Sequence, residues 1–216
     1  EQFTTQAEGL LSTDVDAAGN LGAINLNQIQ AGGTAAIANA QVRLPSTNEP
    51  LLEKGPWTTA FQWQGDRIAV NSFSAPGLQA NGTIGVDFTQ QIPIDRFNLD
   101  VALQSFDLAP LNSFAPPTIA EYAQVTGLTS FDGQLTGTLT NPQINGTTRL
   151  DNFALNDLLF EPLAGPIAFS FSEGGRVNLQ GTDDLIQLSL SENTWPTTFE
   201  VRNQDFVAKG YGQNRQ

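Results

Sequence analysis

Apolar and polar residues alternate with a period of two over most of this chain, and that period constrains the fold more than any other feature. In residues 97–103, for example, Phe97, Leu99 and Val101 alternate with small or polar neighbours. A period of two is typical of strands that bury one face and expose the other to water. The period predicts strands in the segments 84–88, 97–103, 135–140, 167–172 and 186–191.

Turn signals between these runs predict that successive strands are antiparallel neighbours. Asn81-Gly82, Asn145-Gly146 and Gly174-Gly175 readily adopt the positive φ angles of tight hairpin turns. Only residues 118–125, which follow two prolines and precede Gly127, indicate a helix, and it has two turns at most. The sequence therefore predicts an all-β fold, a long open antiparallel sheet with one short helix.

Two pairs of similar segments predict an internal repeat. Residues 33–42 match residues 146–155, and residues 57–63 match residues 195–201. The wider spacing in the second copy corresponds to about two extra strands and a turn. An open sheet accepts strands added in pairs, whereas a closed barrel does not. We interpret the chain as a single repeat-built fragment, residues 1–216, with weak sub-units at 1–112 and 113–216.

The composition excludes several kinds of catalytic and metal chemistry. The chain has no Cys, no Met and no His, so thiol nucleophiles, Ser-His-Asp triads, histidine metal sites, iron–sulfur clusters and structural zinc are excluded. With 9 Lys plus Arg against 22 Asp plus Glu, the net charge is -13. Such a chain cannot form the basic stripe that binds nucleic acid, and anionic membrane surfaces are poor partners.

The composition and the first residue bear on where the protein works. No run approaches the roughly 18 consecutive apolar residues of a transmembrane helix. The chain begins with Glu instead of Met, so we interpret it as a piece of a longer protein whose signal peptide or anchor lies outside it. A cysteine-free chain rich in Asn and Thr fits an extracytoplasmic bacterial compartment.

Residues 108–165 carry an ordered series of motifs. A helix-like segment leads into a glycine-leucine double strand interrupted by an Asn-Pro turn, and a strand with an Asn-x-x-Leu motif follows. In this order the motifs resemble the TamB family of the wider AsmA-like group. The residues that carry the resemblance are Gly133, Leu135, Gly137, Leu139, Asn141, Pro142, Ile144, Gly146, Leu150 and Asn152.

The resemblance implies a fold, a location and partners. Members of this family are envelope proteins anchored in the inner membrane of diderm bacteria or in the plastid inner envelope. Their periplasmic part folds into a U-shaped sheet, or β-taco, with an apolar groove, and their C-terminal end works with a BamA-like outer-membrane barrel. This chain is expected to be such a segment in the periplasm, or in the intermembrane space of a plastid envelope. Its Asn, Gln and Thr content is similar to that of cyanobacterial and plastid members.

The resemblance and the alternation together imply lipid transfer without covalent chemistry. An acyl chain crossing water exposes apolar surface at a cost of roughly 25 cal/mol per Å², and a continuous apolar groove keeps that chain covered. We expect phospholipid acyl chains to travel in this groove between the inner and outer membranes. The residues expected to line it are Ile84, Val86, Phe88, Phe97, Leu99, Val101, Leu103, Leu135, Leu139, Ile144, Leu150, Ile167, Phe169, Phe171, Val177, Leu179, Ile186, Leu188 and Leu190.

The alternation also predicts which substitutions matter for such a groove. A charge at Leu99, Val101 or Phe169 would lie in the path of an acyl chain. A charge at Asn98 or Ser170 is expected to face water and to affect neither the fold nor the path of the acyl chain.

Functions of other classes fit parts of the sequence. Exposed strand edges would pair with nascent outer-membrane strands if the protein were an assembly or translocation scaffold. Trp57, Trp63 and Trp195 would stack on sugars in a carbohydrate-binding or adhesin domain, although cross-strand packing is favoured for them. A closed two-sheet sandwich produces the same alternation as an open groove.

The remaining candidate sites have simpler explanations. Asp183-Asp184 and Asp14-x-Asp16 suggest carboxylate pairs or a calcium loop, but the later acidic ligands are missing and adjacent aspartates at a turn are usually solvated. Asn81 and Asn145 begin Asn-Gly-Thr glycosylation sequons, for which the hairpin-turn interpretation is preferred. We therefore expect neither an enzyme nor a metal or cofactor site.

Overall fold

The computed structural model describes residues 11–18, 30–40, 55–90, 93–114, 124–192 and 196–212. Strands make up most of these residues, as the period of two predicts, and one 3₁₀ helix, Ala109–Phe114, follows β6. The strands are β1 Leu11–Ala18, β2 Gln30–Ala40, β3 Gly55–Gln64, β4 Arg67–Ala75, β5 Leu78–Val86, β6 Ile94–Asp107, β7 Val125–Gly137, β8 Pro142–Leu155, β9 Leu158–Leu159, β10 Leu163–Ser170, β11 Gly174–Gln180, β12 Leu185–Leu190, β13 Pro196–Asn203 and β14 Phe206–Tyr211.

All of these strands belong to one 14-stranded sheet, in which strands are ordered as they follow one another in the chain. The short strand β9 lies off this path and pairs with β8. The first and last strands, β1 and β14, do not pair with each other, so the sheet of the described residues is open. The predicted all-β, open antiparallel architecture is confirmed.

The chain divides into two compact units, each of which we describe by itself. Unit 1 comprises Glu1–Ala102 and Leu135–Thr140, and unit 2 comprises Leu103–Gln134 and Asn141–Gln216.

In unit 1 the strand register gathers large apolar side chains on one face of the sheet. Ile37 pairs with Trp57, and Trp63 pairs with Ile68, which pairs with Ile84. Paired residues in an antiparallel sheet point to the same side, so these five share a face. The opposite face of unit 1 carries polar side chains such as those of Asp14, Thr34, Gln62 and Arg67.

Unit 2 has the same two-faced construction and also a buried aliphatic and aromatic cluster. Leu163 pairs with Leu150 and is fully buried, with 0% of its surface exposed. The buried members of the cluster are Leu108, Leu150, Phe153, Phe160, Leu163 and Leu179.

Two strands of unit 1 contain a bulge at a shared sequence pattern. In β2 the register shifts between Ile37 and Ala40, and in β4 it shifts between Val70 and Phe73. The pattern is four residues long, with apolar residues at the first and fourth positions. Its third position is Asn39 in β2 and Ser72 in β4. The extra residue lets two consecutive residues turn toward water, so apolar residues before and after the bulge stay on one face.

Two strands of unit 2 repeat this pattern. Leu103-x-Ser105-Phe106 in β6 and Leu150-x-Asn152-Phe153 in β8 also place two residues between successive inward positions. Ser105 and Asn152 both have a φ of 52°, the left-handed conformation that Asn tolerates best after Gly. We refer to the pattern in β2, β4, β6 and β8 as the bulge motif. After the motif, the inward-facing positions change from odd to even residue numbers or the reverse, and this happens in every second strand from β2 to β8.

Several local predictions are wrong or untested. Asn81-Gly82 lies inside β5 and Asn145-Gly146 lies inside β8, so neither dipeptide forms a hairpin turn. Gly174-Gly175 begins β11 directly after the turn of residues 171–173, and only Gly174 has the predicted positive φ, 83°. Most of the predicted helix lies outside the described residues, and its last residue, Val125, begins β7 instead.

The predicted repeat does not agree with the strand order. β2 and β3 are direct antiparallel neighbours, whereas β10, β11 and β12 lie between β8 and β13. Three intervening antiparallel strands leave β8 and β13 parallel, so this pair is not an enlarged copy of β2 and β3. The prediction of two inserted strands is wrong. The similarity of residues 33–42 to residues 146–155 reflects the bulge motif that β2 and β8 share.

Candidate functional site

The most extensive candidate site among the described residues is the apolar face of unit 2. Ile144 pairs with Phe169, and Ile167 pairs with Val177, which pairs with Leu188. The predicted groove residues that this face brings together are Ile144, Leu150, Ile167, Phe169, Val177, Leu179, Ile186, Leu188 and Leu190.

Sequence reasoning missed three residues of this face. Leu163 pairs with Leu150, Phe199 pairs with Leu188, and Val201 pairs with Ile186. Phe199 and Val201 alternate with polar neighbours, so the period of two was a sufficient signal for them. Leu163 begins a strand that soon contains a proline, and its run is too short to reveal its orientation.

One end of this face, which we call the closed end, is buried. It contains Leu150, Leu163 and Leu179, all of which are classed among the buried hydrophobic residues. The side chain of Phe160 covers it and is itself only 3% exposed. The rings of Phe153 and Phe160 lie 5.3 Å apart between centroids. This end therefore has the packing of an ordinary protein core.

The other end of the face, the open end, is accessible to solvent. Ile144, Phe169 and Leu190 are each only half-buried there. Phe171, in the turn after β10, is 50% exposed, and its ring contacts that of Phe169 with centroids 5.1 Å apart. No second sheet covers this end within the described residues, because all their strands belong to one sheet.

The closed end is covered by residues 158–162, which we call the strap and which form the larger part of the connection between β8 and β10. The backbone N–H of Phe160 donates to the carbonyl oxygen of Phe153 at 2.9 Å. The side-chain Nδ2 of Asn203, at the end of β13, donates to the carbonyl oxygen of Leu159 at 2.7 Å. The strap is thus fixed at both β8 and β13.

A buried carboxylate, that of Asp184, links the strap to the β11–β12 connection. Its Oδ2 accepts from the backbone N–H of Glu161 at 2.9 Å and from Nδ2 of Asn203 at 3.3 Å. Asp184 is only 3% exposed, and its Oδ1 makes no hydrogen bond. The expectation that both aspartates of the Asp183-Asp184 pair are solvated is wrong for Asp184, while Asp183 is exposed.

Glu161 completes the attachment from the strap side. Its Oε1 accepts from the backbone N–H groups of Asp183 and Asp184, the latter at 2.8 Å. These hydrogen bonds, that from Asp184 most of all, hold the pKa of the Glu161 carboxyl below its ordinary value. The ionised form of Glu161 is therefore the form that binds the β11–β12 connection best.

All but one of the remaining groove candidates on strands belong to unit 1. Phe97, Leu99 and Val101 are half-buried, and the exposed Asn98 between them faces water as predicted. Ile84 and Leu135 are also half-buried, Val86 is buried, and the half-buried Leu103 belongs to unit 2.

Three predicted groove residues lie in turns instead of strands. Phe88 follows β5 and is 42% exposed, and Leu139 follows β7 and is 49% exposed. Phe171 is the third. The prediction that Ser170 faces water is also wrong, because Ser170 is 6% exposed and its Oγ donates to Oδ1 of Asn141.

The described tryptophans pack within the sheet of unit 1. The ring of Trp57 meets that of Phe73 edge to face at 5.9 Å, and the ring of Trp63 lies 5.6 Å from that of Phe88. Nε1 of Trp63 donates to the carbonyl oxygen of Gly65 at 2.7 Å. These contacts agree with the cross-strand packing predicted from sequence. Trp195 lies outside the described residues.

Metal and membrane-spanning features are absent from the described part of the chain. No cluster of Asp and Glu residues there could hold a metal ion. None of the helices in these same residues is long and apolar enough to cross a membrane.

Comparisons with known proteins give no match for this chain. No family model, no curated protein and no solved structure is similar to it at a significant level. The resemblance to the TamB family therefore stays a prediction from the motifs of residues 108–165.

Proposed function

We propose that this protein binds the acyl chains of phospholipids on the apolar face of its sheet and passes them between membranes. One observation carries the proposal: the open end of unit 2 keeps Ile144, Phe169 and Leu190 only half-buried on a continuous apolar face. A folded chain gains most by burying such surface. A face that stays accessible is suited to a ligand that removes it from water.

The polar face on the other side of the unit 2 sheet also supports lipid binding. Asn145, Thr147 and Arg149 are exposed on β8, directly between residues of the apolar face. A strand buried on both sides would be apolar at every position. The sheet of unit 2 thus has one side suited to water and one suited to hydrocarbon, with no covalent chemistry required.

The context of the whole protein rests on the family resemblance. We propose that the chain is a segment of an inner-membrane-anchored protein that bridges the periplasm, or the intermembrane space of a plastid envelope. In this proposal the groove has the U-shaped, β-taco form of the family, and the full-length chain meets a BamA-like barrel at the outer membrane.

A matched pair of substitutions on β10 tests the lipid-binding proposal. Phe169→Asp places a charge on the apolar face at the open end, whereas Ala168→Asp places the same charge on the exposed polar face one residue away. Lipid extraction and native mass spectrometry should find phospholipid with wild type and Ala168→Asp but at least tenfold less with Phe169→Asp. Thermal melting should show that both variants stay folded, because water reaches the half-buried site.

Two results would contradict the proposal. Wild-type protein that carries no lipid after exposure to phospholipid vesicles would remove its basis. Unfolding of the Phe169→Asp variant would show that Phe169 belongs to a closed core.

A second function, that of an assembly scaffold, is favoured by the edge strands. All eight residues of β1 are exposed, and β14 exposes Phe206, Val207 and Tyr211. An exposed edge is a template for strand addition. Cross-linking of β14 to an unfolded outer-membrane strand, unaffected by Phe169→Asp, would support this function over lipid binding.

A further inference from the structure

The charged residues of unit 2 are distributed unevenly between its faces. Arg149, Arg176, Arg202 and Lys209 all lie on the polar face, as their pairing partners show. Arg149 is bound to Asp151 at 2.8 Å and Lys209 to Glu200 at 3.1 Å. No described Lys or Arg of unit 2 lies on the apolar face.

The connections at the ends of the strands carry charge of one sign. From β8 to β14, every charged residue in the described connections is acidic. These residues are Asp157, Glu161, Glu173, Asp183, Asp184, Glu192 and Asp205. An acyl chain on the apolar face is therefore bordered by carboxylates at the ends of the strands.

At the open end two of these carboxylates lie in neighbouring connections. Glu173 directly precedes β11 and Glu192 follows β12, and the pairing of these two strands ends at Gly175 and Leu190. Both glutamates are exposed, and the accessible Phe171 lies in the same turn as Glu173. The nearest described cationic residue along β11, Arg176, lies on the polar face.

A bound phospholipid would have to place its headgroup near these two glutamates. Across the strands the apolar surface continues from β8 to β13, so a headgroup would reach water at one of the two ends of the strands. Because the strap covers the closed end, the headgroup would lie at the open end. Proteins that hold a phosphate use Arg, Lys or helix N-termini, and the described residues on the apolar face of the open end supply none of them, since Arg176 lies on the polar face.

Resting on the proposed function, we propose that the open end of unit 2 selects phospholipids without net negative charge over anionic phospholipids. A zwitterionic headgroup presents a cationic group to Glu173 and Glu192 and offsets the repulsion of its phosphate. An anionic headgroup has no such group. The two glutamates are specificity-determining residues, while the apolar face supplies the affinity.

Coulomb's law sets the size of the expected selectivity. In water, a carboxylate about 6 Å from a unit charge changes its binding by roughly threefold. Two carboxylates give about tenfold selectivity at low salt. The selectivity should disappear near 1 M salt, where the Debye length is about 3 Å.

The test is competition between two lipids with identical acyl chains. The full chain is incubated with vesicles that contain equal amounts of phosphatidylethanolamine and phosphatidylglycerol, re-isolated, and extracted for quantitative mass spectrometry. We expect about tenfold enrichment of phosphatidylethanolamine at low salt. The double variant E173K/E192K should remove or reverse this enrichment without lowering the total lipid bound.

A control variant separates the open end from the overall charge. The quadruple variant N145K/T147K/A168K/Q180K makes the same change of charge on the exposed polar face and should keep the wild-type lipid ratio. Equal binding of both lipids by wild type, or an equal effect of the control variant, would overturn this inference and leave the proposed function intact. Absence of either lipid from the wild-type protein would instead refute the proposed function.

Discussion

The apolar faces of the two units follow the same alternation but are stabilised differently. In unit 2 large side chains such as Leu163 and Phe160 are buried, and the strap covers them. In unit 1 the only buried hydrophobic residues are Ala40, Ala75 and Val86 among those described. Both described tryptophans of unit 1 remain half-buried, and other large side chains such as Phe88 and Leu139 are exposed.

The difference shows that alternation determines the orientation of side chains but not their burial. A strand pattern decides which side of the sheet a residue faces. Whether that side becomes a core depends on what lies over it, and in unit 2 the strap provides the cover. We expect unit 2 to be the more stable of the two, since it buries more apolar surface for each ordered residue.

The largest expected effect is the loss of the strap's aromatic side chain. Phe160→Ala should destabilise unit 2 by about 3–5 kcal/mol, because it removes a ring that is 3% exposed and leaves a cavity. Phe73→Ala in unit 1, where the ring is half-buried, should cost clearly less. Hydrogen exchange resolved by segment measures both. Equal losses would mean that the strap does not distinguish the two units.

A smaller effect is expected at the bulges, where the units differ in backbone conformation. Asn152 in unit 2 has a positive φ, whereas Ser72 at the same motif position in unit 1 does not. Asn152→Val should therefore cost about 1–3 kcal/mol, and Asn152→Gly should cost little. Ser72→Val should stay within about 0.5 kcal/mol. Denaturant unfolding of the three variants checks this, and a harmless Asn152→Val would contradict the assigned conformation.

The smallest expected effect is a dependence of the strap on pH. The pKa of Glu161 is lowered by hydrogen bonds from the β11–β12 connection. The contribution of Glu161 to the stability of the strap is therefore complete above the ordinary glutamate pKa of about 4.3. That contribution is lost as the pH falls through the lowered pKa of the folded state. Exchange of the Phe160 amide should accelerate over this range in wild type but not in Glu161→Gln.

Unit 1 provides the control for this measurement. The pKa of Asp87 is lowered mainly by a hydrogen bond from the Thr89 hydroxyl at 2.7 Å. The turn after β5 should therefore keep its own acid sensitivity in Glu161→Gln. Loss of acid sensitivity in both units would indicate a global effect of the substitution.

The strand pattern could be predicted from the sequence, but the turns could not be predicted equally well. Asn145-Gly146 has the composition of a hairpin turn but lies within β8. The space that a Cβ atom of Gly146 would fill is occupied by the Phe131 ring and the backbone of β7. Glycine is needed there for a close approach between strands, and a dipeptide signal cannot distinguish that need from a turn.

The strand residues of the candidate site could be predicted from the alternation, whereas its connections could not. Period-two counting identified the open-end residues Phe169 and Leu190, because each lies in a regular strand. The strap was not identified and Asp184 was wrongly interpreted as solvated, since residues 158–162 have no periodic pattern and their contacts come from distant segments. Local sequence patterns carry no information about which connection covers which end of a sheet.

The bulge motif also affects how this chain can change in evolution. In a plain strand, a one-residue insertion exchanges every following side chain between the two faces, much as a frameshift alters every following codon. The bulges in β2 and β4 are such insertions. β6 and β8 repeat their pattern, and in all four strands the inward positions after the motif have the opposite parity to those before it. A hairpin that contains one bulge therefore keeps its apolar residues on the same face in both strands. Duplication of that hairpin would lengthen the sheet and keep one face apolar and the other polar.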